Sequence, residues 1–463
     1  MTTTDTVIGL DLGTTTSKVL IRPLDRTPAL VAERHTPWCT NADSETEIDP
    51  HALLRTATDL VGRAVRIAES EWGSVAVRAV SVTGFAESGV ILDPSDRPGI
   101  SAIAWFDRRG QAELDAIMER TPEFVTAFSA MTGLPWSFQA SFAKMLWLTA
   151  TNRIPAGSTW LSVPEWIVHG LGGDLVREPS LASRTGLIRQ DTAQPWDDAV
   201  AIAGVPAQFL PDAAPAGTPV GKLDYAGAPS AASEAVLSVA GHDHPVAALA
   251  VGAVAANELF NSTGTADVLA RAVPSTLTNE HRAAIVAARW SAGAHIVPNT
   301  DVLLAGGSGG LLLRRVLTAL GVEGSDARDT LDVASMQVTA LPPGLSIGGD
   351  GRTQEDVEIR LRDNASPAAI WTAATAYTAE LARRMLADIE PIVGPHRRAV
   401  AAGGWTRMHS VRTAKSMAIG QLEFSDTREP GATGAALLAE YSLTADTRSL
   451  PEFLHDASQS VDA

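Results

Sequence analysis

Two short turns in this sequence are rich in glycine and threonine. The first spans residues 11–18, reads Asp-Leu-Gly-Thr-Thr-Thr-Ser-Lys and overlaps the end of an apolar run. Glycine lets the backbone approach an anion closely, the following amides can form a nest of donors, and threonine hydroxyls add more. A hairpin turn with solvated threonines explains the same residues about equally well. The predicted phosphate-binding residues of this turn are Gly13, Thr14, Thr15, Thr16 and Lys18.

The second turn repeats the pattern of the first. Residues 258–270 form an apolar run, a turn and a second apolar run, as residues 7–21 do, and Gly264 takes the place of Gly13. A hairpin built twice in one chain predicts two similar α/β domains, with coincidence between two ordinary hairpins as the alternative. The residues of the second turn predicted to face the same phosphates are Ser262, Thr263, Gly264 and Thr265.

A carboxylate precedes the first turn. Asp11 lies at the end of the apolar run, where it is placed to hold a hydrated Mg²⁺ that offsets the charge of a triphosphate. Such an offset is needed because the chain has 36 Lys and Arg against 53 Asp and Glu, a net charge of −17. The same acidity argues against nucleic acid as the main partner, since a phosphate backbone is repelled.

A second aspartate stands at a predicted strand-to-helix junction. Residues 235–245 form a strand-like run that ends in Gly-His-Asp-His-Pro before an Ala-rich helical stretch. Asp243 would therefore lie near the positive end of a helix dipole, where it stays ionised and could take the proton of a hydroxyl that attacks a γ-phosphate. Two alternatives remain open. Asp243 or His244 caps the helix, or His242 and His244 form the metal pair of a hydrolase.

A third group of residues could contact a carbohydrate. Residues 105–109 read Trp-Phe-Asp-Arg-Arg and precede a helical stretch. The indole face of Trp105 suits the C–H surface of a polyol, and Asp107 with the two arginines can hydrogen-bond its hydroxyls. A packed tryptophan beside a surface salt bridge is the alternative.

The surrounding sequence indicates how these groups are positioned. Strand-like runs alternate with helical stretches, the pattern of an α/β protein, and a length of 463 residues predicts about two or three domains. The single Cys39 excludes a disulfide framework and a thiolate metal cluster. The longest apolar run, residues 245–256, falls below the roughly 18 residues that a membrane helix needs. We therefore expect a soluble cytoplasmic protein without a membrane partner.

In type and order, these motifs resemble those of the FGGY carbohydrate kinases, which phosphorylate sugars, ketoses and polyols with ATP. The similarity covers the two phosphate loops, a WxDxR element, a family signature, the position of the catalytic aspartate and the adenosine-binding end. The corresponding segments, in chain order, are residues 11–18, 105–109, 141–148, 241–243, 261–265, 402–407 and 431–436. The segment 346–362 is shorter than the corresponding loop of that family.

The resemblance implies two ribonuclease H-like domains around an interdomain cleft, the actin-like ATPase fold. Residues 1–245 would carry the sugar, the first phosphate loop and the catalytic aspartate, and residues 246–463 would carry the second phosphate loop and adenosine. It also implies ATP and Mg²⁺ as cofactors and Asp243 as the general base. The residues implied to lie near adenosine are Gly403, Gly404 and Arg407.

The expected substrate is a short polyol or ketose. Glu87 resembles the glycerol kinase residue that accepts hydrogen bonds from substrate hydroxyls, but Ala86 stands where glycerol kinases have an arginine, and Asp107 is more like the ketose kinases. The residues predicted to bind substrate are Glu87, Trp105, Asp107, Gln139, His242 and His244.

The sequence thus predicts ATP-dependent phosphorylation of a hydroxyl of a small sugar, ketose or polyol. In this interpretation Asp243 is the base and Asp11 holds the metal. Alternatives of other classes are a nucleotide-dependent switch protein of the actin and Hsp70 kind, and a metal-dependent hydrolase built on His242 and His244. A homodimer is kept as an open expectation.

Overall fold

The computed structural model describes residues 3–24, 28–348 and 358–459, which form a mixed α/β protein. The elements up to residue 250 are β1 Thr4–Leu12, β2 Thr16–Pro23, β3 Leu30–His35, β4 Cys39–Thr40, β5 Thr46–Ile48, α1 Pro50–Trp72, β6 Val75–Gly84, β7 Gly89–Leu92, β8 Ala102–Ile103, α2 Gln111–Arg120, α3 Pro122–Thr132, α4 Ser141–Ala150, β9 Thr159–Ser162, α5 Val163–Gly170, α6 Pro179–Ala182, β10 Ile188–Arg189, β11 Gln194–Pro195, α7 Asp197–Ala203, β12 Val236–His242 and α8 Asp243–Ala250. Those after residue 250 are β13 Glu258–Thr263, β14 Asp267–Pro274, α9 Asn279–Ala287, β15 Ser291–Ala294, β16 Thr300–Gly307, α10 Gly309–Ala319, α11 Gly324–Ser335, β17 Ser346–Gly348, β18 Glu358–Arg360, α12 Pro367–Val393, β19 Arg398–Ala402, α13 His409–Ala418, β20 Leu422–Phe424, α14 Pro430–Ser442 and α15 Leu450–Gln459.

The first sheet has five strands in the order β12-β6-β1-β2-β3. β1 and β12 both pair in parallel with β6, while β2 and β3 continue from β1 as an antiparallel meander. Side chains alternate along β1, so that Ile8 and Leu10 pack with α1, whereas Val7 and Gly9 meet α14. The same alternation directs Asp11 toward α14.

The second sheet repeats this arrangement. Its strand order is β15-β16-β14-β13-β19-β20. β16, β14 and β13 form an antiparallel meander, and β13, β19 and β20 are parallel neighbours. From β16 to β20 the order and directions match those from β3 to β12, so the β13–β14 hairpin corresponds to the β1–β2 hairpin. The prediction of a duplicated α/β unit is confirmed, with β15 as an additional edge strand.

Two helices, α8 and α14, join the sheets. α8 packs on the second sheet through Ala248 and on α14, where a Cβ on Gly434 would lie 2.1 Å from the carbonyl oxygen of Val246. α14 lies on the first sheet, because a Cβ on Gly9 would lie 2.0 Å from the carbonyl oxygen of Ala432. The strands of the first sheet precede residue 245 and those of the second sheet follow it, and this C-terminal helix packs on the first sheet.

The first sheet is covered on its other face by α1. Asp49 caps the helix by accepting a hydrogen bond from the His51 amide at 3.0 Å, and Pro50 occupies the first turn. Its buried residues recur at helical spacing and are Pro50, Leu53, Ala57, Leu60, Val61, Ala64, Val65 and Ala68. Of the predicted segment 346–362, residues 349–357 lie outside the described residues. Within the described ranges, no helix has both the length and the apolar character to cross a membrane.

Candidate active site

The carboxyl ends of three parallel strands meet at one edge of the first sheet. In the register of the sheet, Asp11 on β1 is opposite Thr83 on β6, and Thr83 is opposite Gly241 on β12. Parallel strands present their last residues at the same edge. Three residues that are distant in sequence therefore lie at the ends of neighbouring strands: Asp11 near the end of β1, Glu87 shortly after β6 and Asp243 directly after β12.

Asp11 has a carboxylate oxygen without a partner among the described residues. Its Oδ1 is buried and makes no hydrogen bond, and a Cβ on Gly431 would lie 2.3 Å from Oδ2. Burial, followed by the nearby charge of Asp243, raises the pKa of Asp11 to about 7. A buried oxygen without a donor is costly, and a hard cation relieves that cost. The carboxylate therefore fits a divalent metal such as Mg²⁺.

The carbonyl groups of the first turn accept hydrogen bonds from side chains of a neighbouring segment. Thr36 Oγ1 donates to the carbonyl oxygen of Gly13 at 2.6 Å, and Trp38 Nε1 donates to that of Thr14 at 2.7 Å. In a trans peptide the amide points opposite to the carbonyl, so the amides of Thr14 and Thr15 point away from these groups. Lys18 forms an ion pair with Glu429, just before α14.

The second turn lies on two other glycine-rich segments. A Cβ on Gly403 would lie 2.5 Å from the carbonyl oxygen of Thr263, and a Cβ on Gly310 would lie 1.8 Å from that of Gly264. Gly310 belongs to the first turn of α10, whose free amides and positive dipole end favour anions. Residues 306–310, Gly-Gly-Ser-Gly-Gly, are not among the predicted site residues, although a glycine run before an apolar helical stretch is a usable signal.

A buried polar network supports the second turn. Asp267 Oδ1 accepts from Asn261 Nδ2 at 2.7 Å, and Asp267 Oδ2 forms an ion pair with Lys415 of α13. The Asp267 and Lys415 side chains are 9% and 3% exposed. This network is not among the predicted features, because its members come from β13, β14 and α13 and share no local sequence pattern.

Asp243 is the first residue of α8 and lies between two imidazoles. Its Oδ1 is 3.2 Å from His242 Nε2 and 3.9 Å from His244 Nε2. Burial alone would raise the pKa of Asp243, but the flanking imidazoles outweigh burial and hold it at about 2. Burial lowers the pKa of His244. Asp243 is therefore an ionised carboxylate at the positive end of a helix, as the sequence predicts.

The backbone before Asp243 is clamped from two sides. Gly241 has φ +109°, which favours glycine, and its carbonyl oxygen accepts from Thr83 Oγ1 at 2.7 Å. The His242 amide donates to Ser180 Oγ at 2.9 Å, and Ser180 in turn donates to the buried carboxylate of Glu178. Burial raises the pKa of Glu178 to about 7. This clamp fixes the direction in which Asp243 leaves β12.

The predicted substrate residues are placed in different ways. Glu87 forms an ion pair with Arg184 and has φ +62°, a strained conformation for a side chain of its size. Trp105 Nε1 donates to Thr14 Oγ1 at 3.2 Å, which joins the predicted substrate segment to the first turn. Gln139 is exposed. The structure thus brings Glu87 and Trp105 toward the strand ends, while Gln139 lies on the surface.

Asp107 has a structural role in its own loop. Its Oδ2 accepts from the Thr46 amide at 2.6 Å, and both oxygens accept from the Arg109 side chain. Burial alone would raise the pKa of Asp107, but these hydrogen bonds lower it. Lys144, which is buried, donates to the carbonyl oxygens of Asp107 and Phe138. The residues predicted from 105–109 and 141–148 therefore hold one loop together.

The predicted adenosine-side residues follow β19. Gly403 contacts Thr263 of the second turn, as described above, and Gly404 and Arg407 begin and end a short 3₁₀ helix. Both Gly404 and Arg407 are exposed. The second turn, α10 and this helix form one glycine-lined surface at the carboxyl ends of β13 and β19.

The fold defined by the two sheets is that of the actin-like ATPases. A similar solved structure is the xylulose kinase from Rhodospirillum rubrum, with TM-score 0.78, 23% identity, and coverage of 94% of this chain and 90% of that one. Another is the Plasmodium falciparum glycerol kinase with ADP, with TM-score 0.82, 16% identity, and coverage of 98% and 92%. The predicted fold class is confirmed by these similarities, which at such identities concern the fold alone.

The family follows from the sequence match. The model of the FGGY family of carbohydrate kinases, N-terminal domain, matches residues 6–250, more than half of the chain. The chain belongs to the FGGY family of carbohydrate kinases, as the sequence motifs predict.

Curated relatives are glycerol kinases. That of Janthinobacterium sp. (strain Marseille) is 25% identical over 329 residues, 68% of this chain and 64% of the relative. That of Rhodospirillum centenum is 29% identical over 230 residues, 48% of this chain and 45% of the relative. The matches thus span between about half and two thirds of the length of these relatives.

Proposed function

We propose that this protein transfers the γ-phosphoryl group of ATP to a hydroxyl of a small sugar, ketose or polyol. The observation that carries the proposal is the placement of an ionised Asp243 and an unpartnered Asp11 at one sheet edge, with Asp243 at a helix N-terminus. Membership of the FGGY family supports the kinase class.

In the proposed reaction Asp243 accepts the proton of the substrate hydroxyl. The hydroxyl oxygen forms a bond to the γ-phosphorus, the bond from that phosphorus to the bridging oxygen breaks, and ADP leaves with the released electron pair. Oδ1 of Asp243 lies between the imidazoles of His242 and His244. Because the pKa of Asp243 is about 2, the base is ionised at neutral pH.

The two glycine turns are proposed to hold the phosphates. The amides of Thr14 and Thr15 and the first turn of α10 supply donors on the two sides, with Lys18 at the end of the first turn. Asp11 would hold Mg²⁺, which when bound neutralises phosphate charge. The residues proposed to contact nucleotide are Gly13, Thr14, Thr15, Thr16, Lys18, Ser262, Thr263, Gly264, Thr265, Gly403, Gly404 and Arg407.

The proposed substrate side consists of Glu87, Trp105, His242 and His244. Trp105 links this side to the first turn through Thr14, and the charge of Glu87 acts on His244. We propose Asp107 as the organiser of its loop, because its oxygens are already hydrogen-bonded within the protein. Gln139 remains a proposed substrate residue at the surface.

The proposed domain division is residues 1–245 and 246–463, with α14 packed on the first sheet. Closure of two such units around ATP and sugar would exclude water, the competing acceptor of the phosphoryl group. We therefore expect slow ATP hydrolysis in the absence of sugar.

The test is a coupled ADP-release assay over short and medium-length polyols, ketoses and sugar acids, with wild type and Asp243→Asn. We expect sugar-dependent ADP release by wild type, and a loss of at least about a thousandfold in turnover in the variant. Nucleotide affinity, measured by calorimetry, should change little. Wild-type rates in the variant would overturn the assignment of the base.

A metal-dependent hydrolase is the second candidate. It is favoured by one observation: ligand atoms of His242, Asp243 and His244 lie within 4.8 Å of one another. Hydrolysis without ATP, abolished by a chelator and restored by Zn²⁺, would support this candidate over the kinase. Activity that depends on both ATP and a carbohydrate would exclude it.

A further inference from the structure

An ion pair that the sequence did not predict lies beside the proposed base. Arg184 Nε is 2.6 Å from Glu87 Oε1, and the two side chains are 12% and 16% exposed. The charges of both residues act on His244, which adjoins Asp243. A residue of the segment after α6 thus reaches the substrate side proposed above.

Arg184 is held from the second sheet as well. Its Nη1 donates to Ser291 Oγ on β15 at 2.9 Å. The adjoining backbone is close-packed, because a Cβ on Gly293 would lie 2.5 Å from Ser183 Oγ. The guanidinium is therefore oriented by a carboxylate on one side and by a hydroxyl of the other sheet on the opposite side.

Carboxylates outnumber guanidinium groups at this place. The side chains whose charges act on His244 are Asp243, Glu87, Arg184 and His242. Among these side chains, two carboxylates outnumber one guanidinium. Because Glu87 neutralises Arg184, this pair offers no free positive charge to a substrate carboxylate. Such a carboxylate would therefore be repelled by Asp243 without compensation. Hydroxyl groups carry no such penalty and can donate to Glu87.

On the basis of the proposed kinase activity, we propose that Arg184 is a specificity-determining residue. Its pairing with Glu87 makes the proposed substrate side accept neutral polyols or sugars and reject sugar acids of the same length. While it is paired with Glu87, the Arg184 guanidinium donates hydrogen bonds to substrate hydroxyls. If Glu87 lost its charge, the guanidinium would instead bind a substrate carboxylate.

The test compares a polyol and the aldonate of equal carbon number in wild type and Glu87→Gln. The substitution keeps the shape but removes the charge that neutralises Arg184. We expect the ratio of aldonate to polyol kcat/KM to rise by about tenfold or more. The ratio of the binding affinity for the aldonate to that for the polyol should rise in parallel. Both affinities are measured from ligand-induced shifts of the unfolding midpoint. Glu234→Gln, which removes one charge of the exposed pair with Lys222, should leave both ratios unchanged.

Two further variants keep the proposal open to refutation. Arg184→Gln should shift the binding ratio in the opposite direction, toward the polyol, and the double variant should fall between the two single ones. A wild type that takes the aldonate as readily as the polyol, or an unchanged ratio in Glu87→Gln, would overturn the proposal. If wild type transferred phosphate to neither class, the proposed function would fail, and the binding ratios would still decide the role of the pair.

Discussion

The two glycine turns are equivalent in topology, but the carboxylates beside them are in opposite states. Asp267, beside the second turn, uses both oxygens in bonds to Asn261 and Lys415 and is almost fully buried. Asp11, beside the first turn, has a buried oxygen without a hydrogen bond among the described residues. A carboxylate whose oxygens both accept hydrogen bonds or an ion pair supports its turn. A carboxylate with an oxygen that has no hydrogen-bond partner is available to a ligand.

The difference indicates how a duplicated unit becomes specialised. Both hairpins keep glycines, which allow the backbone to approach an anion closely, but among the described residues only the first hairpin has a buried carboxylate oxygen without a hydrogen bond. We infer that the second turn is built for rigidity and the first for ligand-dependent charge. Four predictions test this contrast.

The largest expected effect is on turnover in Asp11→Asn. If Asp11 holds the metal, removal of its charge should lower kcat/KM for ATP by roughly a thousandfold. The fold should be retained, since the variant keeps the shape of the side chain. The measurement is steady-state kinetics over a range of Mg²⁺ concentrations. Wild-type kinetics at low Mg²⁺ would remove Asp11 from the metal site.

Asp267→Asn should act mainly on stability. Loss of the carboxylate leaves Lys415 buried without its partner, which should lower the free energy of unfolding by about 3 kcal/mol. Urea denaturation with a circular dichroism signal checks this value. The control is Glu234→Gln, whose pair with Lys222 is exposed and should contribute less than about 1 kcal/mol. Equal losses in both variants would contradict the contrast between the turns.

The third prediction concerns how the stability of the nucleotide-free protein depends on pH when a chelator removes divalent metal. The pKa of Asp11 rises from 3.8 to about 7 on folding, so between these values the folded state binds more protons than the unfolded state. Stability contributed by this group is therefore present at low pH and is lost as pH rises toward 7. Asp11→Asn has no such group.

The unfolding midpoint of Asp11→Asn should thus exceed that of wild type by an amount that grows from pH 4 to pH 7 and is constant above it. Differential scanning calorimetry at half-unit pH steps measures the difference. A difference independent of pH would show that Asp11 is ionised in the folded protein throughout. Asp267→Asn supplies the comparison, since it should lower the midpoint rather than raise it.

The smallest expected effect is that of Trp105→Phe. The change removes the hydrogen bond from Trp105 Nε1 to Thr14 Oγ1, which is worth about 1 kcal/mol. We expect KM for the sugar to rise about fivefold, with a smaller change for ATP. Thr14→Val removes the same bond, so the double variant should be no worse than the more impaired single variant. Additive effects would mean that the two residues act independently.

Several local features of the site could be predicted from sequence because they depend on neighbours in the chain. The Gly-Thr turns indicated two hairpins, and the strand-like run before His242 with Pro245 after it indicated that Asp243 begins a helix. Both predictions are confirmed. They rest on backbone requirements of glycine and proline and on hydrophobic periodicity, which act over a few residues.

The partners of those residues were decided by the tertiary structure. Arg184 reaches Glu87 from 97 positions away, and Lys415 reaches Asp267 from 148. No local pattern encodes such pairs, because they depend on which strands become neighbours and which helix closes the sheet. The sequence alone thus determined the chemical groups and the turns that carry them. Only packing decided that Asp11 keeps an unpartnered oxygen while Asp267 does not, since burial and the supply of donors are properties of the assembled fold.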